Sequence, residues 1–389
     1  MSLEISRPRL PALTSLRFFA AMHVVFFHFQ AMKIMTRPGW FHDVASIGYV
    51  GVSFFFVLSG FILVYTYAGR STTAVDFWRA RFARVYPAYL FSLLLTAPFF
   101  LAVIFLNLPV PFLEWAKHHV KLSALLEITL LQAWVPPAAL VWNAVAWSLS
   151  VEAFFYLVFP FLLKAYAKLS RPQLAVAGVA AWLATMAMTS AYVLRRPDGL
   201  AYVDSDTLQS FWLNVIKFNP LARLPEFLVG MACGFLFLRS KPSPKLAFPL
   251  VLAGLVGFGA VAHYSAIIPY PILHTSLLVP VFAFIVFGFV LQPKWAFFLN
   301  WRPMVLLGDA SYSLYLLHST VVGMFFFGSD GTLHHDSPLG ILGAILIALT
   351  LSLLVYLLIE QPARRWLRGK PTPKQAASPD SVAAAGTAA

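Results

Sequence analysis

Three polar side chains form one stripe on an otherwise apolar segment, WNAVAWSLSVEAFFYLVFP, residues 142–160. Ser148, Glu152 and Tyr156 are spaced i, i+4 and i+8, so an α-helix places them on the same face. A carboxyl group in such a segment is either poised for acid–base chemistry or held ionised by a cation such as Arg17. The alternative is a polar contact that joins two helices.

Arg17 and His28 lie in the first apolar stretch, which also contains His23. Their separation along the chain corresponds to about 16 Å of α-helix and leaves both on one face, whereas His23 lies about 140° away from His28. We therefore expect His23 to be a packing residue. For the pair, the spacing allows either a functional site or an Arg17 that extends to the membrane surface beside a hydrogen-bonded His28.

Two arginines of RFARVYP, residues 81–87, project together if the segment is helical. Arg81 and Arg84 are then suited to bind phosphate, because the guanidinium group matches phosphate geometry. Ordinary basic flanking charge or a lipid headgroup contact is the alternative. Glu360, before Gln361, is interpreted as the end of the last membrane helix.

Two further motifs place polar groups on one helical face. In SYSLYLLH, Ser311, Tyr315 and His318 are spaced i, i+4 and i+7, which favours either a substrate contact or hydrogen bonding between helices. In RLPEF, Arg223 and Glu226 are spaced i and i+3 and can neutralise each other. A structural ion pair is slightly favoured for this second pair.

The elements that position these residues are predicted to be membrane helices. The chain has 389 residues, of which 60% are hydrophobic and 11% charged, and its mean hydropathy is +0.77. A soluble domain carries about 25% charged residues. Because too few polar side chains are present to cover a surface in water, we predict an all-α, multi-pass protein of the cell's inner (cytoplasmic) membrane.

About ten transmembrane helices are predicted, since a span needs about 20 mostly apolar residues. A further apolar segment, 122–134, is too short to span and is expected to be interfacial or re-entrant. The predicted spans are roughly 12–33, 47–69, 86–106, 144–164, 172–194, 217–238, 247–264, 272–292, 304–327 and 339–360.

The Lys and Arg residues of the whole chain are unevenly distributed over the two sides of the predicted membrane domain, which comprises residues 1–368. With the N-terminus in the cytoplasm, 19 of the 28 lie in inside segments and six in outside segments. The positive-inside rule then places both termini in the cytoplasm. This distribution explains the net charge of +13 without a nucleic-acid partner. Residues 369–389 are expected to form a disordered cytoplasmic tail.

No metal site is predicted. The pairs His118–His119 and His334–His335 lack Cys, Asp or Glu at the spacing that metal ligands require. The motifs GxSxG, HExxH and CxxC of soluble enzymes are also missing from the sequence. The single cysteine, Cys233, lies in an apolar run and is expected to pack there.

Seven motifs in this order resemble the acyltransferase family 3 membrane proteins, over about residues 8–366. Each motif is weakly specific alone, but the ordered set is specific. The motifs are Arg17-x10-His28, VGVSFFFVLSGF (50–61), RFARVYP (81–87), WSLSVEAFFY (147–156), RLPEFLVGM (223–231), GDASYSLYLLH (308–318) and IEQPARR (359–365).

The resemblance implies an O-acyltransferase that moves an acyl group, usually acetyl, from cytoplasmic acyl-CoA to a hydroxyl of a surface or exported polysaccharide. It implies that Arg17 and His28 are essential and that Glu152 is the acid of the WSLSVE motif. Arg81 and Arg84 match the family's cytoplasmic Arg-x-x-Arg and are expected to hold the CoA phosphates. His28 is then the expected general base. A covalent acyl-histidine intermediate is the less favoured variant.

Several alternatives stay open at this point. Glu152 is expected either to orient His28 or to pair with Arg17, which itself can contact CoA. A small molecule or a lipid-linked oligosaccharide is the alternative acceptor. A glycan transporter or flippase and a structural membrane subunit are the rival classes. Many relatives have Asp where this chain has Ser53, and no fused extracytoplasmic hydrolase-like domain is expected.

Overall fold

The computed structural model of the protein describes residues 7–32, 34, 39–110, 113–208, 210–240, 242–326 and 338–368. In these ranges the regular structure is entirely helical. The predicted tail 369–389 and the pair His334–His335 lie outside them. The α-helices are α1 Pro11–Ala31, α2 Trp40–Ser46, α3 Gly51–Tyr67, α4 Ala74–Phe105, α5 Glu114–His118, α6 Val120–Ile128, α7 Trp147–Ala167, α8 Arg171–Arg195, α9 Phe211–Phe218, α10 Pro220–Ser240, α11 Ala247–His263, α12 Tyr270–Thr275, α13 Val279–Val290, α14 Arg302–Phe326, α15 Pro338–Val355 and α16 Gln361–Arg368.

Nine helical segments of the described chain are long and apolar enough to cross a membrane. The predicted class, an all-α multi-pass membrane protein, is confirmed. The segments are Pro11–Ala31, Gly48–Tyr67, Ala74–Phe105, Ala144–Ala167, Arg171–Arg195, Phe211–Ser240, Pro244–His263, Tyr270–Val290 and Pro338–Leu367.

The tenth predicted span, 304–327, corresponds to α14. This helix has 25 residues, which extend over about 37 Å and exceed the thickness of a bilayer core. It is less apolar than the other nine because Ser311, Ser313, Tyr315 and His318 interrupt its hydrophobic residues. The same side chains are buried, so α14 directs its polar groups into the protein.

The helix α4 begins 12 residues before the predicted span at 86–106. Thr73 caps its first turn, since the Thr73 hydroxyl accepts a 3.1 Å hydrogen bond from the Asp76 backbone N–H. Arg81 and Arg84 were predicted to belong to the basic segment that precedes this span. They instead lie within the helix, with Arg81 buried and Arg84 partly buried. The segment is helical, which was the condition of the prediction that Arg81 and Arg84 project together.

The helices α3 and α10 form a close pair at the centre of the bundle. A Cβ on Gly60 would collide with the Phe227 carbonyl oxygen, and a Cβ on Gly230 would collide with the Val57 carbonyl oxygen. Small residues allow helix backbones to approach in this way inside membranes. The α1–α14 pair uses the same device, because a Cβ on Gly308 would collide with the Thr14 carbonyl oxygen.

We predict that Gly230→Ala destabilises the protein by about 1–3 kcal/mol, because the backbones of α3 and α10 must separate. The matched control is Gly259→Ala in α11, where no atom lies within 4 Å of the added Cβ. This control should be neutral or stabilising by up to about 1 kcal/mol, since alanine favours a helix over glycine. Denaturant unfolding in micelles, followed by circular dichroism, measures both; equal effects would contradict the close packing.

Candidate active site

A cluster of charged side chains lies where α1, α4, α7 and the helical turn after α15 meet. Arg17 of α1 and Arg84 of α4 interact electrostatically with Glu152 of α7 and with Glu360. Arg17 and Arg84 also repel each other. We call this set the arginine cluster; its members are Arg17, Arg81, Arg84, Glu152, Tyr156, Asp309, Glu360 and Arg364.

Glu360 enters the cluster through a π-helical turn, Tyr356–Glu360, that joins α15 to α16. Its side chain is 1% exposed and accepts a 3.4 Å hydrogen bond from the Ser313 hydroxyl. Its other carboxylate oxygen lies 3.5 Å from Arg364 Nη1. The interpretation of Glu360 as a simple helix end is therefore wrong. Sequence periodicity missed it because a π turn, common at functional sites, breaks the 3.6-residue repeat.

Arg81 lies among aromatic rings beside the same carboxylate. Its guanidinium carbon is 5.7, 5.8 and 5.9 Å from the ring centroids of Tyr67, Phe77 and Tyr156. Arg81 Nη2 also donates a 3.3 Å hydrogen bond to the Tyr67 hydroxyl. The Tyr156 hydroxyl donates to Glu152 Oε2 at 3.1 Å. Cation–π contacts of this kind hold a guanidinium group in place.

The structure favours one of the two roles left open for Glu152. This carboxylate interacts electrostatically with Arg17, Arg84 and Arg81 and is hydrogen-bonded by Tyr156. His28 is oriented by a different side chain, His318 of α14. Arg17 and Glu152 therefore belong to one end of the site and His28 to the other.

His28 and His318 form an imidazole pair between α1 and α14. Their rings are 4.8 Å apart, and His28 Nδ1 lies 3.1 Å from His318 Nε2. His318 Nδ1 lies 2.7 Å from the Tyr315 carbonyl oxygen and therefore carries a proton, which leaves its Nε2 as an acceptor. His28 Nδ1 also faces the Val24 carbonyl oxygen at 2.9 Å. Two acceptors thus fix the proton on His28 Nδ1 and leave His28 Nε2 with a free lone pair.

The polar stripe of α7 is divided between the two ends. Ser148 donates a 2.9 Å hydrogen bond to the Tyr315 hydroxyl, which donates in turn to the Val145 carbonyl oxygen at 2.9 Å. Glu152 and Tyr156, one and two turns further along α7, belong to the arginine cluster. Of the residues predicted in SYSLYLLH, Ser311 bonds only within its own helix, to Gly308 O.

Arg223 and Glu226 lie apart from both groups, in a buried network. Arg223 Nε lies 3.0 Å from Glu226 Oε2, and the two side chains are 0% and 1% exposed. The remaining Arg223 donors reach the Lys217 carbonyl oxygen, His274 Nδ1 and the Ser53 hydroxyl, at 3.2, 3.0 and 2.9 Å. Ser53 thus gives Arg223 a neutral partner, at the position where many relatives have Asp.

A group of buried polar residues precedes α7 and was not predicted from the sequence. Glu127 is fully buried and accepts a 3.4 Å hydrogen bond from the Asn143 backbone N–H. The Asn143 amide donates to the Ser92 hydroxyl and to the Leu316 carbonyl oxygen. Glu127 and Gln132 lie in the short apolar segment 122–134, which includes most of α6 and is too short to span. A carboxylate inside that segment was the available signal.

The described chain is a bundle of helices that are apolar and long enough to cross a membrane and that enclose groups of polar side chains. This fold defines an integral-membrane protein. The chain belongs to the acyltransferase 3 family, whose model, described as an acyltransferase domain, matches residues 10–357. It is thus a membrane acyltransferase, as the resemblance implied.

Relatives with assigned names support this membership. The chain is 28% identical over 331 residues to acyltransferase MdmB of Streptomyces mycarofaciens, which covers 81% of this chain and 79% of the relative. It is 24% identical over 381 residues to O-acetyltransferase OatA of Staphylococcus aureus, which covers 92% of this chain and 57% of the relative. The chain therefore spans little more than half of OatA. No solved structure shows a significant match.

We predict that Glu226→Leu destabilises the protein by about 3–5 kcal/mol, because Arg223 is left as a buried charge without its counter-ion. The double variant Arg223→Met, Glu226→Leu should lose less, since both charges are removed. The control is Glu114→Ala, which breaks the partly exposed i, i+3 pair with Lys117 and should cost about 1 kcal/mol or less. Thermal unfolding in micelles measures the three variants. A double variant that is less stable than Glu226→Leu would contradict the ion-pair assignment.

Proposed function

We propose that the protein transfers an acyl group, preferentially acetyl, from cytoplasmic acyl-CoA to a hydroxyl of a surface or exported glycan. One observation carries the proposal: α1 holds an arginine cluster at one end and an imidazole pair with a free lone pair at the other. Arg17 and His28 are 11 positions apart on α1, which corresponds to about 16 Å along the helix axis. This separation is of the order that the pantetheine arm of CoA bridges.

The arginine cluster is the proposed donor site. Its four guanidinium groups exceed its three carboxylates in charge, and Arg17 and Arg84 repel each other. A phosphate bound between them would relieve that repulsion and accept charge-assisted hydrogen bonds. A cleft of about 250 Å³ opens beside the cluster, lined by Tyr356, Gln361, Arg364 and Arg365. We infer that the CoA phosphates enter by this cleft, while Arg81 and Tyr156 keep Glu152 in position.

His28 is the proposed general base. Its Nε2 takes the proton of the acceptor hydroxyl, whose oxygen then attacks the thioester carbonyl carbon. The new carbon–oxygen ester bond forms and the carbon–sulfur bond of the thioester breaks. The protonated His28 then gives its proton to the leaving CoA sulfur. His318 holds the His28 ring in the tautomer that this transfer needs, through the 3.1 Å contact. No acyl-enzyme intermediate is required.

Two findings support a hydroxyl acceptor on the outer side. OatA, a relative aligned with nearly the whole chain, is named an O-acetyltransferase. The excess of Lys and Arg in the segments assigned to the inside supports a cytoplasmic N-terminus and an arginine cluster on the cytoplasmic side. His28, near the far end of α1, then lies toward the outer leaflet, where an exported glycan would be modified. A glycan flippase would need no acyl-CoA, so acyl transfer separates the two functions.

We predict that His28→Gln lowers the rate of glycan acylation by about 10²–10⁴-fold, because the general base is removed. The matched control is His23→Gln on the same helix. His23 Nε2 lies 2.7 Å from the Val44 carbonyl oxygen, a contact that an amide side chain can replace. Mass spectrometry of cell-surface glycans, with equal membrane levels of each variant, measures acylation. Unimpaired acylation by His28→Gln would exclude the assigned role.

We predict that the double variant Arg81→Ala, Arg84→Ala binds CoA about 10- to 100-fold more weakly, because charge-assisted contacts to phosphate and the support of Glu152 are lost. Arg79→Ala is the matched control, since Arg79 lies on the same helix and is exposed. Calorimetric titration of the purified protein with CoA measures the affinity. A loss of equal size in Arg79→Ala, or no loss in the double variant, would remove the donor site from this end of the bundle.

A further inference from the structure

A cavity of about 360 Å³ lies at the end of the bundle opposite the arginine cluster. The helix α4 begins near Arg81 and ends at Phe105, and α5, which forms one wall, follows that far end. The other walls are the turn at Pro136–Ala138 and the start of α9. The residues that line the cavity include Glu114, Trp115, Leu140, Phe211 and Asn214.

The cavity is joined to the imidazole pair by one short segment of chain. Leu140 lines the cavity, and three residues later Asn143 donates a hydrogen bond to the Leu316 carbonyl oxygen, two residues before His318. Val145 follows and accepts the hydrogen bond of the Tyr315 hydroxyl. The connection between α6 and α7 therefore forms a wall of the cavity and also supports the helix that orients His28.

Asn214, one of the lining residues, has an unsatisfied acceptor buried in the wall of this cavity. Its side-chain amide donates to the Leu208 carbonyl oxygen at 2.9 Å, so Oδ1 is the remaining polar atom. Within the described part of the chain, Asn214 Oδ1 is buried and has no hydrogen-bond donor, and the residue is only 5% exposed. A buried carbonyl oxygen without a donor is unfavourable, which indicates that a ligand or water completes it.

Aromatic rings form a further part of the lining. The Trp115 ring stacks on His119, with centroids 4.5 Å apart and an angle of 13° between the planes, so its orientation is fixed. Phe211 is 53% exposed and offers a second aromatic surface. Glu114 is held at the rim by a 2.6 Å ion pair with Lys117. The cavity thus combines aromatic faces with oxygen acceptors.

We propose that Trp115 and Asn214 bind a neutral sugar unit of the acceptor glycan, an inference that rests on the proposed function. A sugar ring has an apolar face, which packs on an aromatic ring, and hydroxyls, which donate to acceptors such as Asn214 Oδ1. A deprotonated phosphate or carboxylate ligand has no hydroxyl to donate and would leave Asn214 Oδ1 without a donor. The volume lies within the range of about 300–1,000 Å³ that is usual for ligand sites.

The experiment uses the full chain in nanodiscs prepared without glycoside detergents, which would themselves compete for the cavity. The probes are maltotriose, chitotriose and mannotriose. Calorimetry measures their binding, and labelled acetyl-CoA measures transfer to them. The variants are Trp115→Ala, Trp115→Phe, Asn214→Leu and the control Trp212→Ala, whose ring is exposed beside Phe211 but lies outside the cavity. CoA binding verifies that each variant is folded.

We expect Trp115→Ala and Asn214→Leu to weaken binding of the best probe about tenfold and to raise its KM equally, with kcat changed less than twofold. Trp115→Phe and Trp212→Ala should behave as the wild type. Unchanged probe affinity in Trp115→Ala, or no binding of any probe to the wild type, would overturn the sugar site. Binding that Trp115→Ala weakens, without any transfer from acetyl-CoA, would keep the site and refute the proposed function.

Discussion

Each ionised side chain inside this bundle has to find its counter-charge on the protein, because hydrocarbon offers none. That constraint explains which helices are neighbours. Arg223 draws Glu226, His274 and Ser53 together and so ties α3, α10 and α12 to one point. At the other group, carboxylates from α7 and from the turn after α15 meet guanidinium groups from α1 and α4. In the first network each Arg223 nitrogen has a partner within the protein, whereas the second carries an excess of positive charge and is the one that we propose for a ligand.

The helix α14 connects the two ends of the proposed reaction path. Ser313 bonds Glu360 in the arginine cluster, Tyr315 bonds Ser148 at mid-height, and His318 faces His28. Tyr315 and His318 share one face of the helix and Ser313 lies on another, and the three side chains contact three different neighbours. They also explain why α14 is the least apolar of the long helices: its polar residues are directed at protein and not at lipid. The close approach at Gly308 keeps α14 in register with α1, on which Arg17 and His28 lie.

Much of this arrangement could be predicted from the sequence, and the limits of the prediction have physical causes. Length and hydropathy identified nine spans and a tenth, more polar helix, and the 3.6-residue repeat placed Arg17 and His28 on one face. Periodicity describes a single helix, however, and does not say which helices pack together. The contact of His28 with His318 and the electrostatic interaction of Glu152 with Arg17 therefore required the structure. Glu127 was missed because the segment around it was judged by average hydropathy.

The π-helical turn at Tyr356–Glu360 places one more residue in a helical turn than an α-helix holds. Removing that residue would give a straighter and more regular helix, so the turn opposes local stability. Because the wide turn absorbs the extra residue, its deletion would leave α15 and α16 in nearly the same rotational phase, and the change would be confined to the turn that carries Glu360. The local cost of the turn is thus tied to the position from which Glu360 contacts Ser313 and Arg364. A single-residue gap here in a related chain would mark a member in which this turn is regular and its carboxylate is placed differently.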